Sequence, residues 1–230
     1  MTLTVSALWR YPVKSLAGEP IDSAELTATG IPGDRVVQVR GPEGVRTSRS
    51  RDHYRLLGLH ATLGADGEPL VDGHPWASPD ARDLVRAVAG ADAELARSDG
   101  NTRFDILPLL VATDGAVAAF GRDVRRLRPN ILIAGVEGLA EVDWPGSELH
   151  IGDAVIRLDS LRPRCPMTTV DPDTLERDVE VLKDIARRFQ GRLALNADVT
   201  KPGTIRVGDA VSLVLDPDAQ SAHSGRASGS

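Results

Sequence analysis

Short alternating apolar runs, each broken within a few residues by glycine or proline, constrain this 230-residue chain more than any other feature. Leu3, Val5, Ala7 and Trp9 alternate with small or polar residues, and a second such run covers Ala24 to Ala28. Alternation of period two turns one face of a strand toward a core and the other toward water. The turn cluster "GIPGD" at 30–34 precedes "RVVQVR", and "GPEG" at 41–44 follows. Strands so short and so tightly punctuated suit a barrel or sandwich, not a doubly wound sheet. Two later stretches echo each other, "HIGDAVIRLD" at 150–159 and "RVGDAVSLVLD" at 206–216. Both read as strand, Gly-Asp turn, strand, and as two hairpins of one closed β structure, because they show no fixed period.

Helices are fewer. Pro79 to Ala89 follows Ser78, a good N-cap, and places Ala81, Leu84, Val85, Val88 and Ala89 at helical spacing. A second helix is predicted from Asp114 to about Phe120, after the apolar strand "ILPLLVA". A third is predicted over Thr174 to Phe189, with Leu175, Val179, Leu182, Ile185, Ala186 and Phe189 on one face. The fold class expected is mainly β with a few helices, α+β. The end of the chain, 217–230, is small and polar with nothing to bury, and reads as a disordered tail.

Composition excludes some functions. A net charge of -6 and 3% aromatic residues offer neither the electrostatic footprint nor the stacking platform that nucleic acid requires. The sequence contains no apolar run of about 18 residues, so no membrane span is expected. One cysteine excludes an internal disulfide and points to a reducing, cytoplasmic compartment.

That cysteine, Cys165, lies in "RPRCPMTTVDPDT" at 162–174. Arg162 and Arg164 favour its thiolate if they turn inward. Core packing is the commonest fate of a free cysteine. Here Pro163 and Pro166 interrupt a regular ladder, and so many Arg, Thr and Asp side chains are costly to bury, so the segment reads as a loop feeding a site. His53, His60, His74, His150 and His223 sit in no motif that pairs with a nucleophilic cysteine, and their spacing builds no protein-only zinc site. One remaining possibility is a metal whose other soft ligands arrive with a cofactor. Such a cofactor is large and anionic, and needs basic and hydroxyl groups. The chain offers these separately: Lys14 and Ser15 in "YPVKS", Arg35 in "GDR", Thr47 and Arg49 in "RTSR", Thr113 in "ATDG", Arg128 and Asn130 in "RRLRPN".

The motifs "LWRYPVKS", "LRPNILI", "RCPMTTVDPDT" and "KPGTIRVGD", in that order, resemble the MOSC-domain proteins that carry an N-terminal MOSC β-barrel domain, the group of the mitochondrial amidoxime-reducing component and its bacterial relatives. The resemblance implies a MOSC-type β-barrel core with an interlocked N-terminal β-rich domain, divided here into 1–105 and 106–216. It implies a molybdenum cofactor, Mo-molybdopterin, whose dithiolene supplies two sulfurs while Cys165 supplies a third. The family's pterin and phosphate contacts fall on Lys14, Ser15, Arg35 at the start of the third strand, Thr113, Arg128 and Asn130. Asp171 matches as a substrate-orienting or proton-accepting residue, or as an Asx turn ahead of Pro172. Thr168 and Thr169 are expected to hydrogen-bond the loop or an oxo ligand, the loop role being favoured.

The implied activity is oxidoreduction of N-hydroxylated small-molecule substrates such as amidoximes or hydroxylamines. Electrons would come from a separate donor protein of iron-sulfur, flavin or haem type, since one cysteine cannot hold a cluster. This chain departs from the family after "DPDT", where Leu175 follows directly and the usual longer segment is missing. Two other functions use the same thiol: a sulfurtransferase passing sulfur from a Cys165 persulfide, and a non-catalytic carrier of the cofactor.

Overall fold

The structure, a computed structural model, describes residues 2–98, 100 and 103–216. The expected tail at 217–230 lies outside the described residues. The first half contains β1 (Leu3–Arg10), β2 (Glu19–Ile21), β3 (Ser23–Leu26), β4 (Val37–Gly41), β5 (Gly44–Arg46), β6 (Ala61–Leu63), β7 (Pro69–Val71), β8 (His74–Pro75), α1 (Pro79–Ala89) and β9 (Glu94–Arg97). The second contains β10 (Leu109–Thr113), α2 (Asp114–Phe120), β11 (Ile131–Ala134), β12 (Glu148–Ile151), β13 (Ala154–Pro163), α3 (Glu180–Phe189), β14 (Arg192–Lys201), β15 (Gly203–Arg206) and β16 (Ala210–Val214).

Seven strands close a barrel in the order β11-β10-β14-β13-β12-β16-β1, with β1 returning to β11 through Thr4 opposite Ala134 and Leu8 opposite Ile131. Closure leaves the barrel strands without an open edge. The interior is filled by Val5, Leu8, Val111, Ile131, Ile133, Leu149, Ile151, Ile156 and Leu158, all buried in one cluster. Burying each of the larger side chains contributes roughly 1.5–3 kcal/mol. Strict alternation predicts Val5, Ala7 and Trp9 on one face, but a register shift between Val5 and Ala7 changes the phase. Leu8 is therefore the buried residue, and Trp9 stays half-exposed.

A second core joins Val13, Leu16, Val37, Val39, Leu56, Ala61, Val71, Val85 and Ala89. Around it β4 pairs with β5 and β9, β6 to β8 form a meander, and α1 presents Ala81, Val85 and Ala89. The Ser78 hydroxyl accepts from the Ala81 N–H at 3.2 Å, the cap read from sequence. Ala24, Leu26 and Ile31 return to the barrel core, where β3 pairs with β15. Packing thus crosses the division at residue 105, because the first strand of the chain is a barrel strand.

Two expectations need correction. The third helix starts at Glu180, not Thr174. Residues 169–178 instead close on themselves: Asp171 N–H donates to the Glu176 carbonyl at 2.8 Å, Asp178 N–H donates to the Thr169 carbonyl at 2.8 Å, and Leu175 has φ 59°. The Asp171 carboxylate accepts from the N–H groups of Asp173 and Thr174, both at 3.0 Å, bonds that compete with helix formation. The Gly-Asp echo also divides. Its first copy is the β12–β13 hairpin, with Ile151 opposite Ala154, whereas β15 and β16 do not pair with each other. At the second copy Gly208 N–H donates to Val5 and Val207 N–H to Asp22, so the same dipeptide turns a corner between sheets.

Candidate functional site

Segments far apart in sequence meet around a narrow cleft of about 70 Å³. Lys14 and Ser15 follow β1, Arg35 precedes β4, Arg128 and Asn130 precede β11, and Arg162 to Cys165 lie at the end of β13. Thr47, Arg49, Arg103, Asp105 and Asn196 complete much of the polar lining. Seven basic side chains line the cleft, and Asp105 is the one carboxylate among its described lining residues. Asp105 is held by Lys14 at 3.0 Å, by Arg162 at 3.2 Å and by Arg49. Burial pushes its carboxyl upward, but these cations outweigh that and hold it below the usual carboxylate range. The cleft is strongly positive in a protein whose net charge is -6.

Tyr11 organises one wall. Arg128 and Arg35 place their guanidinium groups 4.2 and 4.8 Å from its ring centroid. Its N–H donates to Asp34 at 2.7 Å, and its hydroxyl donates to the Pro129 carbonyl at 3.0 Å. Burial drives the phenol up to about 12, so it remains a neutral donor. Burial pulls the Arg128 guanidinium down to about 10, which leaves it charged at neutral pH. No carboxylate pairs with Arg128 among the described residues, and its ring partner is Tyr11.

Three of the expected cofactor residues carry left-handed backbone: Ser15 at φ 74°, Arg35 at φ 53° and Arg128 at φ 57°. Each such residue costs of order 1–3 kcal/mol, and glycine would avoid it. Of the seven non-glycine residues with left-handed backbone among the described residues, these three line the cleft. The Ser15 hydroxyl and the Arg164 Nε are buried without a hydrogen-bond partner. An unpaired buried polar group costs about 1–3 kcal/mol, so both atoms suit a ligand that accepts or donates at this place.

Cys165 is a free, half-buried thiol in the cleft. Its loop is braced by Thr168 Oγ1 donating to the Cys165 carbonyl at 2.9 Å and Thr169 Oγ1 donating to Pro166 at 2.7 Å. Arg164 donates to the Leu127 carbonyl at 2.8 Å, and burial pulls its guanidinium down to about 10. Pro163 pairs with Arg192 as the last residue of β13, after a break in register between Leu161 and Pro163.

Lys14, Ser15, Arg35, Arg128, Asn130 and Cys165 come together as expected from sequence. Asn130 is buried as a strut: its side-chain carbonyl accepts from Leu110 N–H at 3.2 Å and its amide donates to the Trp9 carbonyl at 3.3 Å. Arg35 is a turn residue ahead of β4, not the start of the third strand. Thr113 does not reach the cleft. It caps α2, accepting from Ala116 N–H at 3.1 Å while its hydroxyl donates to buried Glu141 at 2.6 Å. Asp171 takes the Asx-turn role. Its other oxygen accepts from Arg126 at 2.7 Å, and backbone N–H groups of Thr174 and Asp173 hold its carboxyl below the usual range, which makes it a poor proton acceptor. Tyr11, Asp105 and Asn196 were not singled out from sequence. Tyr11 sits inside "RYPVKS", but the other two gain meaning only where the cations converge.

Glu141 provides a check on this geometry. Burial raises its carboxyl above the ordinary range, against the bonds from Thr113 and Ala194. A raised folded-state pKa contributes stability that is present at low pH and lost as pH rises through the raised value. In urea unfolding, the advantage of wild type over Glu141→Gln is therefore expected to shrink as pH rises above the ordinary carboxylate range. A difference constant with pH contradicts a raised Glu141.

Fold and cleft define a class: a closed β-barrel protein that presents one cysteine among basic side chains gathered from both halves of the chain. The chain belongs to the MOSC-domain proteins with an N-terminal MOSC β-barrel domain. The MOSC N-terminal beta barrel domain family matches residues 2–98, and the MOSC domain family matches residues 114–212. The chain is 27% identical to human mitochondrial amidoxime-reducing component 1, over 92% of this chain and 83% of that protein. It is 32% identical to molybdenum cofactor sulfurase of Bombyx mori, over 36% of this chain and 10% of that protein. The YUAD protein of Bacillus subtilis shares the fold, with a TM-score of 0.53 at 14% identity, over 94% of this chain and 97% of that one.

Proposed function

We propose that the protein is a molybdenum-cofactor-dependent oxidoreductase that reduces N-hydroxylated small molecules. The observation that carries this reading is one half-buried thiol in a cleft whose basic side chains far outnumber its carboxylates. Among the described residues no three His, Cys, Asp or Glu side chains gather around a common point. A metal at Cys165 would therefore take its remaining ligands from a cofactor. The residues present fit an anionic pterin: the unpaired Ser15 hydroxyl and Arg164 Nε are buried at the cleft, and Arg128 lacks a carboxylate partner. The names of the amidoxime-reducing relatives support the same chemistry.

In this reading Cys165 supplies a thiolate, kept in place by the Thr168 and Thr169 bonds. Lys14, Ser15, Arg35 and Arg128, the last braced on Tyr11, would together hold the phosphate and pterin groups of the cofactor. When bound, the cofactor would supply redox-active molybdenum for a two-electron reduction in which the N–O bond breaks and two protons are taken up, giving the N–H product and water. Those electrons come from a separate donor protein. Protein purified from a host that makes the cofactor is expected to contain molybdenum and pterin equimolar with chain, and to reduce an amidoxime with an electron donor present. Absence of both molybdenum and pterin overturns the reading.

A further inference from the structure

A second pocket of about 340 Å³ opens beside the cofactor cleft, and its chemistry differs. Trp9, Ala17, Pro20, Leu57 and Val170 supply apolar walls. Met167 and Arg128 line both spaces, and Met167 lies two positions beyond Cys165. A molecule in this pocket therefore has its inner end at the partition between the pocket and the thiol. Trp9 reaches the pocket because the irregularity in β1 buries Leu8 in its place. The wall beside it admits no side chain at Gly18, where a Cβ would fall 2.3 Å from the Arg10 carbonyl oxygen and 2.5 Å from the Tyr11 ring. At the rim Arg126 pairs with Asp171 at 2.7 Å, and Arg125 pairs with Asp123 and Asp173 at 2.7 and 2.8 Å, which leaves Arg128, stacked on Tyr11, as the cation without a carboxylate partner at the inner end.

We propose that this pocket holds the body of the substrate and selects N-hydroxylated compounds with an aromatic or bulky apolar body over those with a small one. The inference rests on the reductase reading above. Its size lies in the range of small-molecule sites, roughly 300–1,000 Å³, and its apolar walls with paired rim charges match a flat apolar body better than an ionic one. The N-hydroxyl group then points past Met167 toward the cofactor cleft.

Two amidoximes with the same head group, one phenyl and one methyl, test it. On cofactor-loaded enzyme the phenyl compound is expected to have a KM about 10–100-fold lower than the methyl compound. Trp9→Glu and Leu57→Glu, on separate elements, are each expected to reduce that preference about tenfold. Ligand-observed NMR on cofactor-free protein follows binding of the phenyl compound without turnover, and the same two substitutions are expected to weaken it. Equal KM values for both bodies, with phenyl binding unchanged in both folded variants, overturn the pocket assignment and leave the reductase reading standing. No turnover of either compound by molybdenum-loaded protein overturns the reductase reading and the substrate assignment with it, even where phenyl binding persists.

Discussion

A Cys165→Ala variant, purified from a host that makes the cofactor, is expected to carry molybdenum at background level and to reduce amidoximes more than about 100-fold more slowly than wild type. Loss of groups that only support a metal ligand already costs 10–100-fold, so loss of the ligand itself costs at least that. The fold is expected to tolerate the change. Cys165 is half-exposed in the cleft, and truncation at such a place shifts stability by about 0.5 kcal/mol or less. Cys165→Ser keeps the size but replaces a soft thiolate with a neutral hydroxyl, and is expected to fail in the same way. Metal analysis beside a thermal melt separates the two effects. Wild-type molybdenum content in the alanine variant removes Cys165 from the ligand set.

Arg128→Met is expected to move stability and cofactor retention in opposite directions. The guanidinium is buried, its pKa is lowered by that burial, and no carboxylate pairs with it among the described residues. Replacing a buried charge with an apolar side chain of similar length is often stabilising, by about 1–4 kcal/mol. The cofactor-free variant is therefore expected to melt no lower than wild type. Retention of pterin is expected to fall about 10–100-fold, the loss of one charge-assisted hydrogen bond. Melting of both forms with and without cofactor, beside pterin fluorescence after dialysis, reads both effects. Equal retention, or a cofactor-free variant that melts well below wild type, assigns Arg128 to the scaffold.

Elements defined by local chemistry were legible in the sequence. α1 runs over the predicted residues because Ser78 caps it, Pro79 starts it and Gly90 follows it. Elements decided by partners were not. The irregularity in β1 exchanges Leu8 for Ala7 and Trp9 in the core, and nothing in "LTVSALWR" marks it. The two Gly-Asp stretches differ only because the strands waiting for them differ. Within the site, the residues in distinct motifs, Lys14, Ser15, Arg128, Asn130 and Cys165, do meet in one cleft. Thr113 sits in an equally plausible strand-to-helix turn, but its hydroxyl is taken by Glu141, 28 positions later in the chain. The left-handed backbone at Ser15, Arg35 and Arg128 had no sequence sign, since glycine is the usual marker of such positions.

Closure of the barrel by β1 has a consequence for how the protein is made. β1 can pair early with β2 at 19–21, but its barrel neighbours β11 at 131–134 and β16 at 210–214 are synthesised much later. At typical translation rates that delay is about 10–40 s. During this interval β1 has exposed apolar side chains and a backbone paired only at its β2 end, the state in which chaperones bind and strands mispair. The cleft, which brings Lys14 and Cys165 into one place, can form only after the end of β13 has been made.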